Sequence, residues 1–227
     1  IEAPDLEAAL SLLRGTRFEA AEEVYRTTGD LKMVEVGFFR QELQFHRDVE
    51  KAAEGEVGRF AEALMIRYEI EILKGAIRLW FDRVVRGRAV EAASAYLPRE
   101  RVVHDLDLDR IIGAARFEDL VDTLSATPYQ DVVRQGSAGV ADGSIFPVEI
   151  ALDRTYYRQL QSAAAELDKR DRKIAERMIG VEIDLSNLEW IVRLRSAYDM
   201  PVERTLRYLI PHGGGLTPEQ IVAAYGE

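Results

Sequence analysis

With 227 residues, 47% hydrophobic side chains and no cysteine, the chain can bury a sizeable core without staples, and zinc-finger, thiol-nucleophile and disulfide-scaffold chemistries are excluded. A formal charge of -10 and a pI near 5.0 argue against nucleic acid and anionic lipid as partners, since both require Lys and Arg gathered on one face. Charges such as Arg67, Glu69, Glu71, Lys74 and Arg78 interrupt every apolar run before the ~18 residues of a membrane span, so no transmembrane segment of its own is expected.

The absence of cysteine fits a reducing compartment, with the cytosol as default. The chain opens on Ile1 with no signal-peptide pattern ahead of Pro4, which reads as a chain cut or partly observed.

Pro and Gly fall at punctuation points, and the intervals between them are rich in Ala, Leu, Glu and Arg with helical periodicity, so the chain reads as nearly all helix. Helices are expected over 5–14, 17–27 and 30–53. The next, 56–86, would be about 45 Å long at ~1.5 Å per residue, and its apolar residues wrap most of its circumference. That marks a central helix with neighbours on several sides.

Short helices follow at 89–96, 107–114, 116–124 and 128–134. Residues 105–109, DLDLD, look like the start of a calcium loop, but Arg110 stands where glycine is required and Arg116 where the bidentate Glu is required. Asp105 or Asp107 is therefore read as a helix N-cap. Residues 135–146, QGSAGVADGSIF, hold few helix formers and three glycines and read as a surface excursion.

Helices are expected again at 147–168, 170–199, 201–209 and 217–225, the last opening on Thr217-Pro218-Glu219-Gln220, a reciprocal capping pattern. Ahead of it lies Pro211-His212-Gly213-Gly214-Gly215. A phosphate cradle would need a Lys after the glycines and a strand before them, whereas Leu216 follows and a helix precedes. We read His212, Gly213, Gly214 and Gly215 as a flexible turn and a candidate partner-contact loop. His46, His104 and His212 are too far apart for a metal-ligand pattern and read as solvated positions. No catalytic, cofactor-binding or metal-binding residue is expected.

Residues 181–196, VEIDLSNLEWIVRLRS, repeat the spacing of residues 66–81, IRYEIEILKGAIRLWF. Glu69 falls over Asp184, Leu73 over Leu188, Ile77 over Val192 and Arg78 over Arg193, at an offset of 115. Leu13, Thr16 and Phe18 answer Leu124, Thr127 and Tyr129 at 111. Val34-Glu35-Val36 answers Val148-Glu149-Ile150 at 114, and Tyr96-Leu97-Pro98 answers Tyr208-Leu209-Ile210-Pro211. Leu106, Asp109, Ile111 and Ile112 answer Leu216, Glu219, Ile221 and Val222 at 110. The chain thus reads as two periods of about 112 residues, a first helical unit over 1–112 and a second over 113–227.

Nine residues at about 100° each place Glu69 and Arg78, or Asp184 and Arg193, on opposite sides of one helix, about 13 Å apart along it. They cannot pair within that helix, so each is expected to meet a neighbouring helix or cap a backbone group. Glu69, Leu73, Arg78, Asp184, Asn187, Leu188 and Arg193 are therefore read as structural repeat marks. Leu73 and Leu188 are expected to be buried.

These features resemble a known family, the C subunit of A/V-type ATPases, known as the d subunit in eukaryotic V-type ATPases. The resemblance rests on the Leu-x-x-Thr-x-Tyr/Phe element, the Val-Glu-Ile/Val helix start and the long helix with acid, Asn or Ile, Leu and a later Arg. The copy EIDLSNLEWIVRLRSAYDMPVERTLRYLIP followed by HGGGL is the most family-like, and similarity covers essentially the whole chain.

The resemblance implies an all-α fold of three similar units around a pseudo-threefold axis, forming a funnel; two units are visible in this chain and the third is absent or trimmed. It also implies a non-catalytic central-stalk rotor subunit of an A/V-type ATPase or ATP synthase. Such a subunit is a socket at the cytoplasmic face of the membrane that couples the central shaft, of D and F type subunits, to the proteolipid c-ring in proton or sodium transport. A helical adaptor or regulatory scaffold outside a rotary ATPase is the alternative reading, and an isolated-domain enzyme a distant third.

Overall fold

The computed structural model describes residues 3–225, whose regular elements are all helices, with no strand among them. In the first half lie α1 (Leu6–Ser11), α2 (Ala20–Thr28), α3 (Leu31–Ala52), α4 (Gly55–Val84), α5 (Glu91–Ser94) and α6 (Leu108–Gly113). In the second lie α7 (Phe117–Thr123), α8 (Gln130–Arg134), α9 (Ser137–Ala141), α10 (Phe146–Glu166), α11 (Lys169–Tyr198), α12 (Val202–Leu206) and α13 (Pro218–Tyr225).

Local chemistry explains where these helices begin. The carboxylates of Asp5, Asp30 and Asp168 accept from backbone N–H groups in the first turns of α1, α3 and α11, the ordinary role of an N-cap acid. Asp107 does the same for α6 through Arg110 N at 3.0 Å, the cap expected within the DLDLD run. Thr217 and Gln220 cap α13 reciprocally at 2.8 and 3.3 Å, as the sequence predicts. Thr16 and Thr127 also behave alike: each hydroxyl donates to the carbonyl three residues back and accepts from the N–H two residues on. The Leu-x-x-Thr-x-Tyr/Phe element is therefore a hydroxyl-braced turn.

The expected loop at 135–146 instead contains α9, with Val140 buried. Its glycines serve packing and do not break the helix. A Cβ on Gly136 would collide with Val148 Cγ2, and one on Gly139 would meet Pro147 Cγ at 2.5 Å. These glycines let a short helix press against the start of α10.

α4 is the centre of the molecule, flanked by α3, α10 and α6, while α10 also packs on α11. Its pairs Arg59–Glu166, Lys74–Asp153 and Arg78–Glu149 show that α10 runs antiparallel to it. The main core joins Ile70, Leu73, Ile77, Trp80 and Phe81 of α4 to Leu152, Tyr156 and Leu160 of α10 and to Ile179 and Ile183 of α11. Smaller clusters form around Leu10, Ala21 and Val34, and around Phe146, Ile150 and Leu194.

Leu73 lies at 0% exposure in the middle of this core, whereas Leu188 is 44% exposed, contrary to the sequence expectation. The cause is the number of neighbours. α4 is enclosed on three sides, but α10 is the one long helix packed along α11 among the described residues. The opposite face of α11 is left bare.

Candidate functional site

Of the seven residues expected to mark a repeat, the five polar ones, with the glycine loop, form two fastening points and two arginine positions. Glu69 is fully buried. Its Oε2 accepts from the N–H groups of Val103 and His104 at 2.7 and 2.6 Å, and its Oε1 takes the Tyr129 hydroxyl at 2.7 Å. His104 Nδ1 lies 2.7 Å from the same Oε1; in the tautomer that carries its proton there, it is a fourth donor. Burial, together with the adjacent Glu69 carboxylate, raises the Tyr129 phenol far above its ordinary value. A carboxylate with this many donors is held fast. His104 is accordingly a member of this network, with its side chain 30% exposed, and not a freely solvated residue. His46 is also partly enclosed, lying against Phe45 and Tyr68, and burial lowers its pKa.

Asp184 fastens the second half in the same manner. Its Oδ2 accepts from Gly215 N at 2.6 Å and Leu216 N at 3.3 Å. Gly214 N donates to Gly180 O at 2.9 Å. A Cβ on Gly180 would lie 3.0 Å from Gly214 Cα, and one on Gly213 would collide with Asp184 Oδ1. The glycines at 213 and 214 thus allow close approach to α11, and the loop expected to be a flexible turn is tied down at both Gly180 and Asp184. His212 begins it at a φ of 65°. Asn187 completes the anchorage: its Nδ2 donates to Ile210 O at 2.9 Å and its Oδ1 accepts from Ile210 N at 2.8 Å, as a neighbouring backbone would.

The arginines point away from the acids, as the nine-residue spacing requires. Arg78 donates to Glu149 Oε1 of α10, a carboxylate that is 2% exposed. Beside it, Lys74 pairs with Asp153 at 2.8 Å and Glu71 at 2.6 Å. Burial pulls the Lys74 ammonium down, but the two carboxylates outweigh it and hold its pKa above the ordinary value. Asp153 is pushed up by the same burial, only partly offset by Lys74, so this pair fixes register more than it adds net stability. Arg193 meets no such carboxylate among the described residues; its guanidinium lies 5.4 Å from the Trp190 ring centre.

Sequence reasoning passed over Glu149 and Asp153 as partners. The available signal was an acid inside an apolar helix start, Phe146-Pro147-Val148-Glu149-Ile150. No grouping of three or more His, Asp and Glu suited to a metal occurs among the described residues, and no helix there is long and apolar enough to cross a membrane. What the described surface offers is an apolar ridge on α11 and an open groove between α3 and α4. The groove includes a pocket of about 560 Å³ lined by Phe39, Glu42, Phe45, His46, Arg67 and Tyr68 among others.

Comparison with known proteins places the chain in a family. Residues 1–226 match the family described as ATP synthase (C/AC39) subunit. The chain is 24% identical over 168 residues to the A-type ATP synthase C subunit of Methanosarcina acetivorans, covering 74% of this chain and 44% of that protein. It is 25% identical over 177 residues to that of Methanothermobacter thermautotrophicus, covering 73% and 46%. A shorter stretch of 91 residues, 38% of this chain and 26% of the relative, is 35% identical to the corresponding protein of Halobacterium salinarum. The matched region thus spans about half the length of these curated relatives, and no solved structure matches. From the match along its length, the chain belongs to the ATP synthase (C/AC39) subunit family.

Proposed function

We propose that the chain acts as a non-catalytic rotor part of an A-type ATP synthase, a socket between the central shaft and the proteolipid ring at the cytoplasmic face of the membrane. The observation that carries this reading is the state of the charges within a family-matched helical body. Glu69, Lys74 and Glu149 are buried and Asp153 is mostly so, and each is paired with a neighbouring element. A part that passes torque must resist shear between its helices, and close packing with locked polar joints supplies that stiffness. The proposed partners are shaft subunits of D and F type and the c-ring, with proton or sodium flow as the coupled process. Two helical units, 1–112 and 113–227, are the proposed building blocks; the paired fastenings at Glu69 and Asp184 support this division.

The test is co-purification of the protein with purified shaft subunits and with detergent-solubilised ring. Stable capture of both is expected. Binding to neither would end the socket reading and favour a scaffold outside the rotary machine.

A further inference from the structure

On the joint between α4 and α10 one ammonium is divided between two carboxylates. Lys74 Nζ lies 2.6 Å from Glu71 Oε1 on its own helix and 2.8 Å from Asp153 Oδ1 across the junction. Glu149, one turn before Asp153 on α10, is held by Arg78. Three acids thus meet two bases, and the surplus negative charge falls where water is scarce. The Lys74 and Asp153 side chains are 6% and 16% exposed, and that of Glu149 is 3% exposed.

The surplus settles on one residue. Glu149 has a guanidinium of its own, and the half-exposed Glu71 is screened by solvent. Asp153 has neither advantage. It shares its cation with Glu71, stands four residues from the like charge of Glu149 and is mostly out of water, and each of these favours the neutral form of a carboxyl. Lys74 is the cation that acts on it. Of the other helices packed on α10, α8 carries Asp131 and Arg134, which pair with each other at 2.6 Å in solvent, and α9 carries no charged side chain. On α11, Glu182 lies toward Arg67 and Tyr157, and the Tyr157 hydroxyl is engaged by Ser186.

The geometry points to Asp153 as a proton-binding site built into the α4/α10 joint, filled at a pH where an exposed aspartate is already ionised, with Glu71 keeping the Lys74 ammonium once the proton is bound. The folded chain then holds this proton more tightly than the unfolded chain does. The site therefore adds stability as pH falls and loses it as pH rises through its own midpoint. It consists of groups on α4 and α10 packed against each other, so it requires no free surface of the molecule and is independent of the rotor role.

Carbon-13 titration of the side-chain carboxyls in the isotope-labelled chain tests this. The Asp153 carboxyl of the folded chain is expected to titrate at clearly higher pH than the same carboxyl in urea-unfolded chain. Glu71→Gln gives Lys74 to Asp153 alone and should lower the folded midpoint; because Glu71 is 47% exposed, this change leaves the core packing in place. Lys74→Met removes the cation and should raise the midpoint. A folded midpoint at or below the unfolded one overturns the inference. So does a midpoint that Glu71→Gln leaves unmoved, since the ammonium would then not be shared.

Discussion

The Tyr129 hydroxyl donates to Glu69 Oε1 at 2.7 Å, and both side chains are fully buried although sixty residues separate them in sequence. Glu69 projects from the middle of the central helix, and Tyr129 stands at the entry to α8. The bond therefore fastens the second half of the chain to the first at the point where the segment around His104 also arrives. An acid buried in a greasy helix would be costly alone; with the Val103 and His104 N–H groups and the phenol around it, it becomes a joint.

Cutting this joint from either side should be expensive and coupled. Tyr129→Phe removes a hydrogen bond to a charged acceptor and is expected to cost about 1.5–3 kcal/mol. Glu69→Ala strands two backbone donors and the phenol, and about 3–5 kcal/mol is expected. In a denaturant-titration cycle the double variant should be clearly less destabilised than the two single losses combined. Additivity within about 0.5 kcal/mol would show that the two residues do not act together.

The two aligned leucines provide a sharper contrast. Leu73→Ala should cost about 2–5 kcal/mol, as a fully buried truncation in a packed core. Leu188→Ala should cost far less, about 0.5 kcal/mol, because that residue is 44% exposed. Equal losses at both positions would mean that α11 is enclosed as α4 is.

Legibility from sequence followed the range of the interactions. Helix type, the central position of α4, the Asp107 cap and the Thr217 to Gln220 box depend on neighbours within a turn or two, and periodicity exposes them. The opposed directions of Glu69 and Arg78 also follow from helical arithmetic alone. The partners do not: that Arg78 would find Glu149, or Glu69 the Tyr129 phenol, depends on how helices seventy and sixty residues apart come together. Glycine was the most misleading residue. At 136, 139, 213 and 214 its missing side chain allows close contact between segments, which looks the same in sequence as a flexible turn. Leu188 failed for a different reason, since an apolar periodic position states a preference for burial and says nothing of whether a neighbour is present.

Stability should fall on the alkaline side. Burial raises the phenols of Tyr129, Tyr156 and Tyr157, and the carboxylates of Asp153 and Glu71 raise Lys74 against its burial. Each group holds its proton to higher pH folded than unfolded. Their contribution is therefore complete below about pH 10, where unfolded Tyr and Lys begin to titrate, and is lost as pH rises beyond it. Urea titrations at about pH 8 and about pH 11 should differ, by up to about 1.4 kcal/mol per pH unit for each group. Tyr156→Phe should reduce that dependence. Equal stability at the two pH values would show that these phenols ionise freely in the folded protein.

The tied-down loop makes the last prediction. Gly180→Ala places a methyl group 3.0 Å from Gly214 Cα and 3.1 Å from Gly214 N, both backbone atoms that cannot rotate away. Gly213→Ala drives one into Asp184 Oδ1, and the carboxylate that holds Gly215 and Leu216 must swing aside. Overpacking of this kind costs about 1–3 kcal/mol. The damage should be local, appearing as faster proteolysis within residues 211–217 and faster amide exchange at Gly214 and Gly215, with the α4 core unchanged. Gly143→Ala is the control. It meets no atom within 4 Å but sits at a φ of 79°, so it should carry backbone strain alone and leave the 211–217 segment undisturbed. If Gly180→Ala and Gly213→Ala leave exchange at Gly214 and Gly215 as slow as in the unsubstituted chain, the glycines serve chain flexibility and not close approach to α11.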